Sequence, residues 1–335
     1  MKRADFLRLA VVAPWALRHV VAGGGTGTLP DPRSAAVAWL LKQQSGDGAW
    51  RSDTYGAFRD GRPLTPVVLR ALARELPAEA ASRNACKWLL ENRANLFEEY
   101  PVHLASAILE SSVHLPDLKP LADAAKARLL ELQGPGNGGW SYATVPLPAT
   151  GELSPMQQPN LAATVMAIDG LRAAGLRADD SVLRKSLAFV LSCQNHGEGE
   201  FDDGGFFQMA DDPARNKAGI AGTDREGKTR YKSYTSATAD GLRAMLLCGE
   251  SPDSPRVRAA KEWLQRFPDK GPADLRYYAA RSLAKSGHLS PTLRSELVAG
   301  QAADGSFRNP AGEMREDCPV VATALMTEAL GHKIT

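Results

Sequence analysis

Residues 39–50 read WLLKQQSGDGAW, and the order of residue types in this stretch recurs along the chain. An apolar pair is followed by a glutamine and then by a turn that contains glycine and an aromatic residue. The glutamine and the aromatic residue of the four copies are Gln44 and Trp50, Gln133 and Trp140, Gln194 and Phe206, and Gln301 and Phe307. Such self-similarity indicates that the protein is built from repeats of one structural unit.

Two further copies keep only the part before the turn. Trp88 marks one of them, with Arg93 in the glutamine position, and Trp263 marks the other, with Pro268 there. Each copy follows an amphipathic stretch and precedes a more apolar one, so we predict six helical hairpins. Strand-type alternation is absent, and we expect helix and loop throughout. The more apolar stretches share a pair of small residues: Ala105-Ser106, Ala163-Thr164, Ala237-Thr238, Ala279-Ala280 and Ala322-Thr323.

The uneven length of the repeats favours a closed ring over an open solenoid. The glutamine positions are 33 to 74 residues apart. Solenoid repeats keep a more constant length because each one stacks on its neighbour. A ring with the first helices outside and the second helices inside accepts long loops at its two ends. The nearly charge-free segments 160–168 and 319–326 are typical of inner helices that are buried on both sides.

The repeated glutamine, glycine and aromatic residues favour a structural role over a catalytic one, because scaffolding rather than chemistry recurs at several sites. A glutamine at the end of an outer helix can hydrogen-bond the carbonyls left free there and the backbone amides of the next turn. The glycines allow positive φ, and the aromatic ring packs on the outer helices.

Composition and charge exclude several classes of protein. The chain has 335 residues, with 40 Lys and Arg against 38 Asp and Glu, so its formal charge of +2 does not attract nucleic acid. The four cysteines, Cys86, Cys193, Cys248 and Cys318, form no CxxC pair. We therefore predict no metal site and no cofactor.

Residues 1–28 are typical of an export signal, with a basic start, a short apolar stretch and then small residues. The apolar stretch is about half the ~20 residues that a membrane span needs, so we predict no transmembrane segment. We expect residues 1–28 to be the signal and a linker, residues 29–335 to be one domain, and the protein to lie in the periplasm or cell envelope. The alternative is a cytoplasmic protein whose first helix caps the fold.

The segments Gln44–Trp50, Gln133–Trp140 and Gln194–Phe206 resemble the glutamine-tryptophan repeats of squalene and terpene cyclases and of protein prenyltransferase β subunits. Residues 234–242, YTSATADGL, resemble an inner helix of that family. The resemblance covers about residues 30–332. It implies an all-α fold, the (α/α)6 toroid, with a central cavity.

The chain lacks the motifs that carry the chemistry of these relatives. It has no DxDD, in which a carboxylic acid protonates an alkene or epoxide. It also has no Asp-x-Cys, which holds zinc in the prenyltransferases; the nearest string is Glu316-Asp317-Cys318. Whether the protein is an enzyme is therefore open.

Two carboxylates are the candidate catalytic acids. Asp240 lies in an apolar predicted helix, where a charge is costly unless it forms part of a polar site or pairs with Arg243 or Lys232. Asp317 is the second, and a helix N-cap is its structural alternative.

Four further residues are candidates for the lining of the cavity: His103, Tyr234, Tyr277 and Tyr278. His103 begins a predicted inner helix, which places it near the mouth. The tyrosine rings have π faces that suit an isoprenoid or a carbocation.

Three functions remain open at this point. The first is a toroid that binds an apolar, isoprenoid-like small molecule or a peptide without the catalysis of its relatives. The second is an isoprenoid cyclase or transferase with relocated acids. The third is a carbohydrate-active enzyme, because α/α toroids also host lyases and hydrolases.

Overall fold

Six consecutive helical hairpins make up the part of the chain that the computed structural model describes, which is residues 31–148, 151, 153–210, 212–311 and 315–333. The first helix of each hairpin is α1 (Pro32–Lys42), α3 (Ala80–Glu91), α5 (Lys119–Glu131), α7 (Ser181–Ser192), α9 (Pro255–Arg266) and α11 (Pro291–Val298). The second is α2 (Leu64–Ala73), α4 (Pro101–Ser112), α6 (Leu161–Ala173), α8 (Thr235–Leu247), α10 (Arg276–Ser286) and α12 (Pro319–Gly331). Short 3-10 turns lie in the loops at Gly56–Phe58, Arg93–Asn95, Pro116–Leu118, Pro155–Gln157 and Ala273–Leu275.

The even-numbered helices form a closed ring. Each packs on the next in the order α2, α4, α6, α8, α10, α12, and α12 packs again on α2. The odd-numbered helices lie outside and pack on the inner helices. The all-α (α/α)6 toroid predicted from the repeats is confirmed. The export signal predicted for residues 1–28 lies outside the described residues, and that signal and the domain limits stay predictions.

Burial separates the inner helices from the outer ones. Eleven consecutive residues of α8, from Thr235 to Met245, are buried, whereas the outer helix α9 buries Val257, Ala260, Trp263 and Leu264, which share one face. Such a stripe is expected of a helix with one face in water. No helix of the described ranges is long and apolar enough to cross a membrane.

Each repeated glutamine joins its own turn to the next hairpin. Gln44 Nε2 donates to the carbonyls of Gly48 and Ala81, both at 2.8 Å. Ala81 lies in the first turn of α3, so this amide connects consecutive outer helices. The sequence predicts that the glutamine bonds carbonyls at the end of its helix and amides of the next turn. The structure shows instead hydrogen bonds to carbonyls of the turn and of the next repeat. The equivalent acceptors are Gly138 and Val182 for Gln133, Gly204 and Arg256 for Gln194, and Gly305 and Pro32 for Gln301.

A threonine of the inner helix fixes the aromatic residue of each complete repeat. The backbone N–H of Trp50 donates to Thr65 Oγ1 at 3.0 Å. The indole N–H of Trp50 donates to the carbonyl of Leu40 at 2.7 Å, so the ring bridges outer and inner helices. The same backbone bond joins Trp140 to Thr164, Phe206 to Thr238 and Phe307 to Thr323, at 2.9 to 3.0 Å.

The last repeat closes the ring onto the first. Gln301 Nε2 donates to the carbonyl of Pro32 at 2.8 Å, and Trp39 Nε1 donates to Asp304 Oδ2 at 3.1 Å. Gly305 has a φ of +94°, and a Cβ on it would lie 2.6 Å from the Ala35 carbonyl oxygen. A side chain at Gly305 would therefore push α1 away from the closing contact.

A small β-hairpin corrects the expectation of helix and loop alone. Strand β1 (Ile220–Thr223) pairs antiparallel with β2 (Thr229–Tyr231) inside the long loop before α8. Asp224 accepts the backbone N–H groups of Glu226 and Lys228 in the connecting turn. The strands are four and three residues long, too short for their alternation to be recognised in the sequence.

We expect Thr323→Val to lower the free energy of unfolding by about 1–3 kcal/mol, because it leaves the buried N–H of Phe307 without an acceptor. Thr327→Val is the matched control. Thr327 lies one turn later, is also fully buried, and donates only to the carbonyl of Thr323 at 2.8 Å. Urea titration of both variants measures the difference, and equal losses would contradict the role given to the threonine.

Candidate functional site

Eight charged side chains meet on the axis of the ring, and every inner helix contributes at least one. We call them the axial network: Arg70 of α2, Glu110 of α4, Asp169 of α6, Asp240 and Arg243 of α8, Arg281 and Lys285 of α10, and Glu328 of α12. Four are cations and four are carboxylates. Buried charges of this kind are costly unless each has a partner of opposite sign.

Two cations of α10 reach across the axis. Arg281 Nε lies 2.7 Å from Glu328, and its guanidinium lies 3.9 Å from Glu110. Lys285 Nζ lies 2.7 Å from Glu110 and 2.8 Å from Asp169. Because α10 faces α4 across the ring, the contacts of Arg281 and Lys285 with Glu110 span the centre, whereas the pair Arg281–Glu328 joins neighbouring helices. The Arg281 side chain is 1% exposed.

Asp240 is held on two sides. The hydroxyl of Tyr278 donates to Asp240 Oδ2 at 2.7 Å, and Arg243 lies 3.2 Å from Oδ1. Arg243 also lies 3.0 Å from Asp169. Of the two pairings expected for Asp240, the structure shows the one with Arg243.

The network fixes the protonation of Glu110 and Glu328. Burial alone would raise the pKa of Glu110, but the charges of Lys285, Arg70 and Arg281 outweigh burial and hold that pKa well below its usual range. The pKa of Glu328 is lowered in the same way, because Arg281 and Arg70 overcome the effect of burial. Both carboxylates are therefore ionised at neutral pH.

On five inner helices, a residue one or two turns before the charged residue of the axial network lies on the same helix face as that charged residue. Helical residues three, four or seven apart share a face. Pairs of this spacing are Val67 and Arg70, His103 and Glu110, Met166 and Asp169, Tyr278 and Arg281, and Val321 and Glu328. The axial face of these five helices is therefore apolar or aromatic near the N-terminus and charged near the C-terminus.

These N-terminal positions keep some exposed surface. Val67, His103, Met166, Tyr278 and Val321 are half-buried, although their helices are covered by the neighbouring inner helices and by the outer ring. The helical spacing directs their exposed surface toward the axis. We call the region that these five side chains surround the axial pit; it lies on the long-loop side of the axial network, which we call its floor.

His103 lies at the mouth of the pit. Its ring stacks on Tyr142, with centroids 5.6 Å apart and planes inclined by 25°. Burial, with the nearby cations Arg70 and Arg281, lowers the pKa of His103 to about 4. The imidazole is therefore neutral at physiological pH, and its nitrogens have no hydrogen-bond partner among the described residues.

Of the residues selected from the sequence, Asp240 and Tyr278 are joined by a hydrogen bond, and His103 lies on the axial face of α4. Tyr234 is 3% exposed, and its hydroxyl donates to Gln208 Oε1 at 3.2 Å beside α8. Burial raises the pKa of this hydroxyl well above its usual range.

The remaining two candidates lie elsewhere. Tyr277 is buried against Phe307, with ring centroids 5.7 Å apart. Asp317 accepts a hydrogen bond of 2.5 Å from the hydroxyl of Tyr55 in the loop before α12. Neither is paired with a member of the axial network.

Sequence reasoning missed most of the network. Six of its eight members are not singled out by the sequence analysis, although each lies in an inner helix: Arg70, Glu110, Asp169, Arg281, Lys285 and Glu328. The signal that identified Asp240, a lone charge in an apolar helix, was present for several of them. Their convergence, however, depends on the ring.

Comparison with known proteins shows the fold. Type II terpene cyclase MstE from Scytonema, in complex with geranylgeranyl dihydroxybenzoate, is similar with a TM-score of 0.58 and 14% identity over 89% of this chain and 95% of that one. An α-1,6-mannanase of glycoside hydrolase family 76 from Salegentibacter has a TM-score of 0.59 and 13% identity over 90% and 99% of the two chains. No protein family and no curated protein matches the sequence. The resemblance to terpene cyclases is thus shown at the level of the fold.

We expect Arg281→Met to lower the free energy of unfolding by about 3–5 kcal/mol, because it leaves buried carboxylates without their cation. The double variant Arg281→Met with Glu328→Leu restores the charge balance and should recover much of that loss. Lys87→Met, in an exposed pair 3.8 Å from Glu91, is the surface control and should have a much smaller effect. Denaturant titration checks all three, and a double variant less stable than Arg281→Met would contradict the charge-balance argument.

The pH dependence of stability should contain a contribution from His103. Its pKa falls from 6.5 to about 4 on folding, so the unfolded chain binds more protons between these values and stability falls as the pH is lowered through this range. We expect His103→Gln to flatten the stability profile between pH 6.5 and 4. His114→Gln, which removes an exposed histidine at the other end of α4, measures the effect of losing a histidine as such. Identical profiles for the two variants would refute the assignment.

Proposed function

We propose that this toroid binds a small molecule with an apolar, isoprenoid-like chain in the axial pit, and that it does so without acid-initiated cyclisation. One observation carries the proposal. The wall of the pit includes the half-buried side chains of Val67, Met166 and Val321, whereas the charges of its floor are paired with one another. A half-buried apolar wall gains free energy when an apolar ligand displaces water from it.

The contacts of Asp240 with neighbouring side chains argue against acid-initiated cyclisation. An acid that protonates an alkene must carry a proton, as a carboxyl group kept neutral by its surroundings does. Asp240 instead accepts a hydrogen bond from Tyr278 and lies 3.2 Å from the guanidinium of Arg243. Both contacts tie Asp240 to groups of the protein itself, whereas a catalytic acid must present its proton to the ligand.

The geometry favours a small molecule over a peptide. The inner helices pack on one another around the axis, and the network closes the space below the pit. A single extended chain can enter the pit from the loop end. The surface of a folded peptide cannot reach into it. Binding energy should therefore grow with chain length until the ligand reaches the network.

We expect the affinity for prenols to increase from C10 to C15, since each methylene that enters the pit contributes about 0.8 kcal/mol, roughly fourfold in affinity. Isothermal titration calorimetry on the full chain measures geraniol and farnesol, with an apolar hexapeptide and α-1,6-mannotriose as competing probes. Val67→Trp and Met166→Trp fill the pit and should each weaken farnesol binding by more than about tenfold, which corresponds to 1.4 kcal/mol. Circular dichroism confirms that these variants fold.

The control is Val113→Trp, at an exposed position (57%) just after α4, which should leave farnesol binding unchanged. Binding of mannotriose without prenol binding would replace the proposal with a carbohydrate function. Binding of the hexapeptide alone would favour a peptide ligand. Prenol binding that Val67→Trp and Met166→Trp leave intact would move the site out of the pit.

A further inference from the structure

Glu316 is a buried carboxylate outside the axial network. It lies in the loop before α12 and is 1% exposed. Its hydrogen-bond partners are N–H groups, which replace the water that a buried carboxylate loses. The next residue, Asp317, bonds the hydroxyl of Tyr55 instead. The string that comes nearest to a zinc motif in the sequence therefore makes two separate contacts within the protein.

The main partners of Glu316 are the first backbone N–H groups of α10. Oε2 accepts from the N–H of Tyr277 at 3.0 Å, and Oε1 accepts from the N–H of Tyr278 at 2.7 Å. These are the second and third residues of α10, and the first four N–H groups of a helix have no partner within it. Leu275, at the N-cap position, has no side-chain acceptor. Glu316 therefore caps α10 from the next hairpin, and its negative charge suits this end of the helix dipole.

Asn309 supports the carboxylate in this position. Its Nδ2 donates to Glu316 Oε2 at 2.8 Å and to the carbonyl of Ala273 at 2.7 Å. Its backbone N–H donates to the carbonyl of Glu316 at 2.9 Å. Ala273 belongs to the turn that leads into α10. The loop before α12 is therefore bonded both to the start of α10 and to the turn before it.

The contact involves the helices that carry two residues of the pit wall. Tyr278 is held at two points, because its backbone N–H donates to Glu316 and its hydroxyl donates to Asp240, both at 2.7 Å. Val321 lies five residues after Glu316 and belongs to the wall on α12. Glu316 thus connects the N-terminal turn of α10 to the chain that leads into α12.

We infer that Glu316 is a positioning residue for the axial pit. By capping α10 from the loop before α12, it orients Tyr278 and keeps the wall ordered before a ligand arrives. It acts through Tyr278 rather than by contact with the ligand. Its effect on affinity rests on the proposed binding of an apolar chain.

Glu316→Gln tests this role, because glutamine keeps only one acceptor oxygen. The orientation that preserves the bonds made by Oε2, to Tyr277 and Asn309, turns the NH₂ group toward the N–H of Tyr278. We therefore expect this variant to lose the bond that holds the backbone of Tyr278. The lost order must then be supplied when the ligand binds. Farnesol binding should weaken about three- to tenfold, the range that corresponds to one hydrogen bond.

Asp180→Asn is the matched control. Asp180 accepts the N–H of Val182 at 2.9 Å at the start of α7, an outer helix that contributes no residue to the pit. The variant makes the same change from carboxylate to amide at a helix N-terminus. It should leave farnesol binding unchanged. Calorimetry on the full chain measures both variants.

NMR of protein labelled at the tyrosine Cζ gives a readout that does not depend on a ligand. The chain has seven tyrosines, and the signal of Tyr278 is the one that Tyr278→Phe removes. We expect Glu316→Gln to shift this signal, because the hydroxyl bond to Asp240 changes when the backbone of Tyr278 is released. Asp180→Asn should leave it in place. Asn309→Ala, which removes the support but keeps the carboxylate, should shift it less than Glu316→Gln and serves as the test if Glu316→Gln does not fold.

The outcomes separate the role of Glu316 from the proposed function. Unchanged farnesol affinity in Glu316→Gln, or a loss of affinity without a shift of the Tyr278 signal, would overturn the inference while the apolar pit stands. If the unmodified protein binds no farnesol, the proposed function itself fails. The Tyr278 signal in Glu316→Gln and Asp180→Asn then still decides whether Glu316 orients this side chain.

Discussion

The structure depends on the neutralisation of charge at the centre of the ring. Six inner helices bring eight charged side chains into a space that water barely reaches, and such charges are tolerated only when each has a partner. This requirement ties opposite helices together, as when Lys285 of α10 contacts Glu110 of α4.

The outer part of the molecule is held by a different and repeated device. The glutamine of one repeat reaches the first turn of the next outer helix, and the threonine of each complete repeat accepts the N–H of the aromatic residue. These bonds are neutral and satisfy backbone groups that would otherwise be buried without partners. Because they join successive repeats, they set the position of each helix around the ring, including the closure from Gln301 to Pro32. The precise meeting of charges on the axis depends on that positioning.

The same ring is compatible with different chemistry on its axis. The solved structures that share the fold include a terpene cyclase and mannan-degrading enzymes, at 8–16% identity. In this chain, the axial carboxylate Asp240 is held by Tyr278 and Arg243. The fold supplies a space lined by six helices, and the side chains at a few axial positions decide whether that space contains an acid, a groove or a closed network.

The sequence by itself determined the six hairpins, the division into inner and outer helices and the structural role of the glutamine-aromatic turns, because these follow from local periodicity and from repetition. It also marked Asp240 and His103, each of which stands out against its own helix. Only the tertiary structure decided which charges meet. Arg70 and Glu328 are separated by 258 residues and lie within hydrogen-bond distance only because α12 closes against α2. A pattern along the chain records which face of a helix is apolar, but the partner of a buried charge is determined by the geometry of the closed ring.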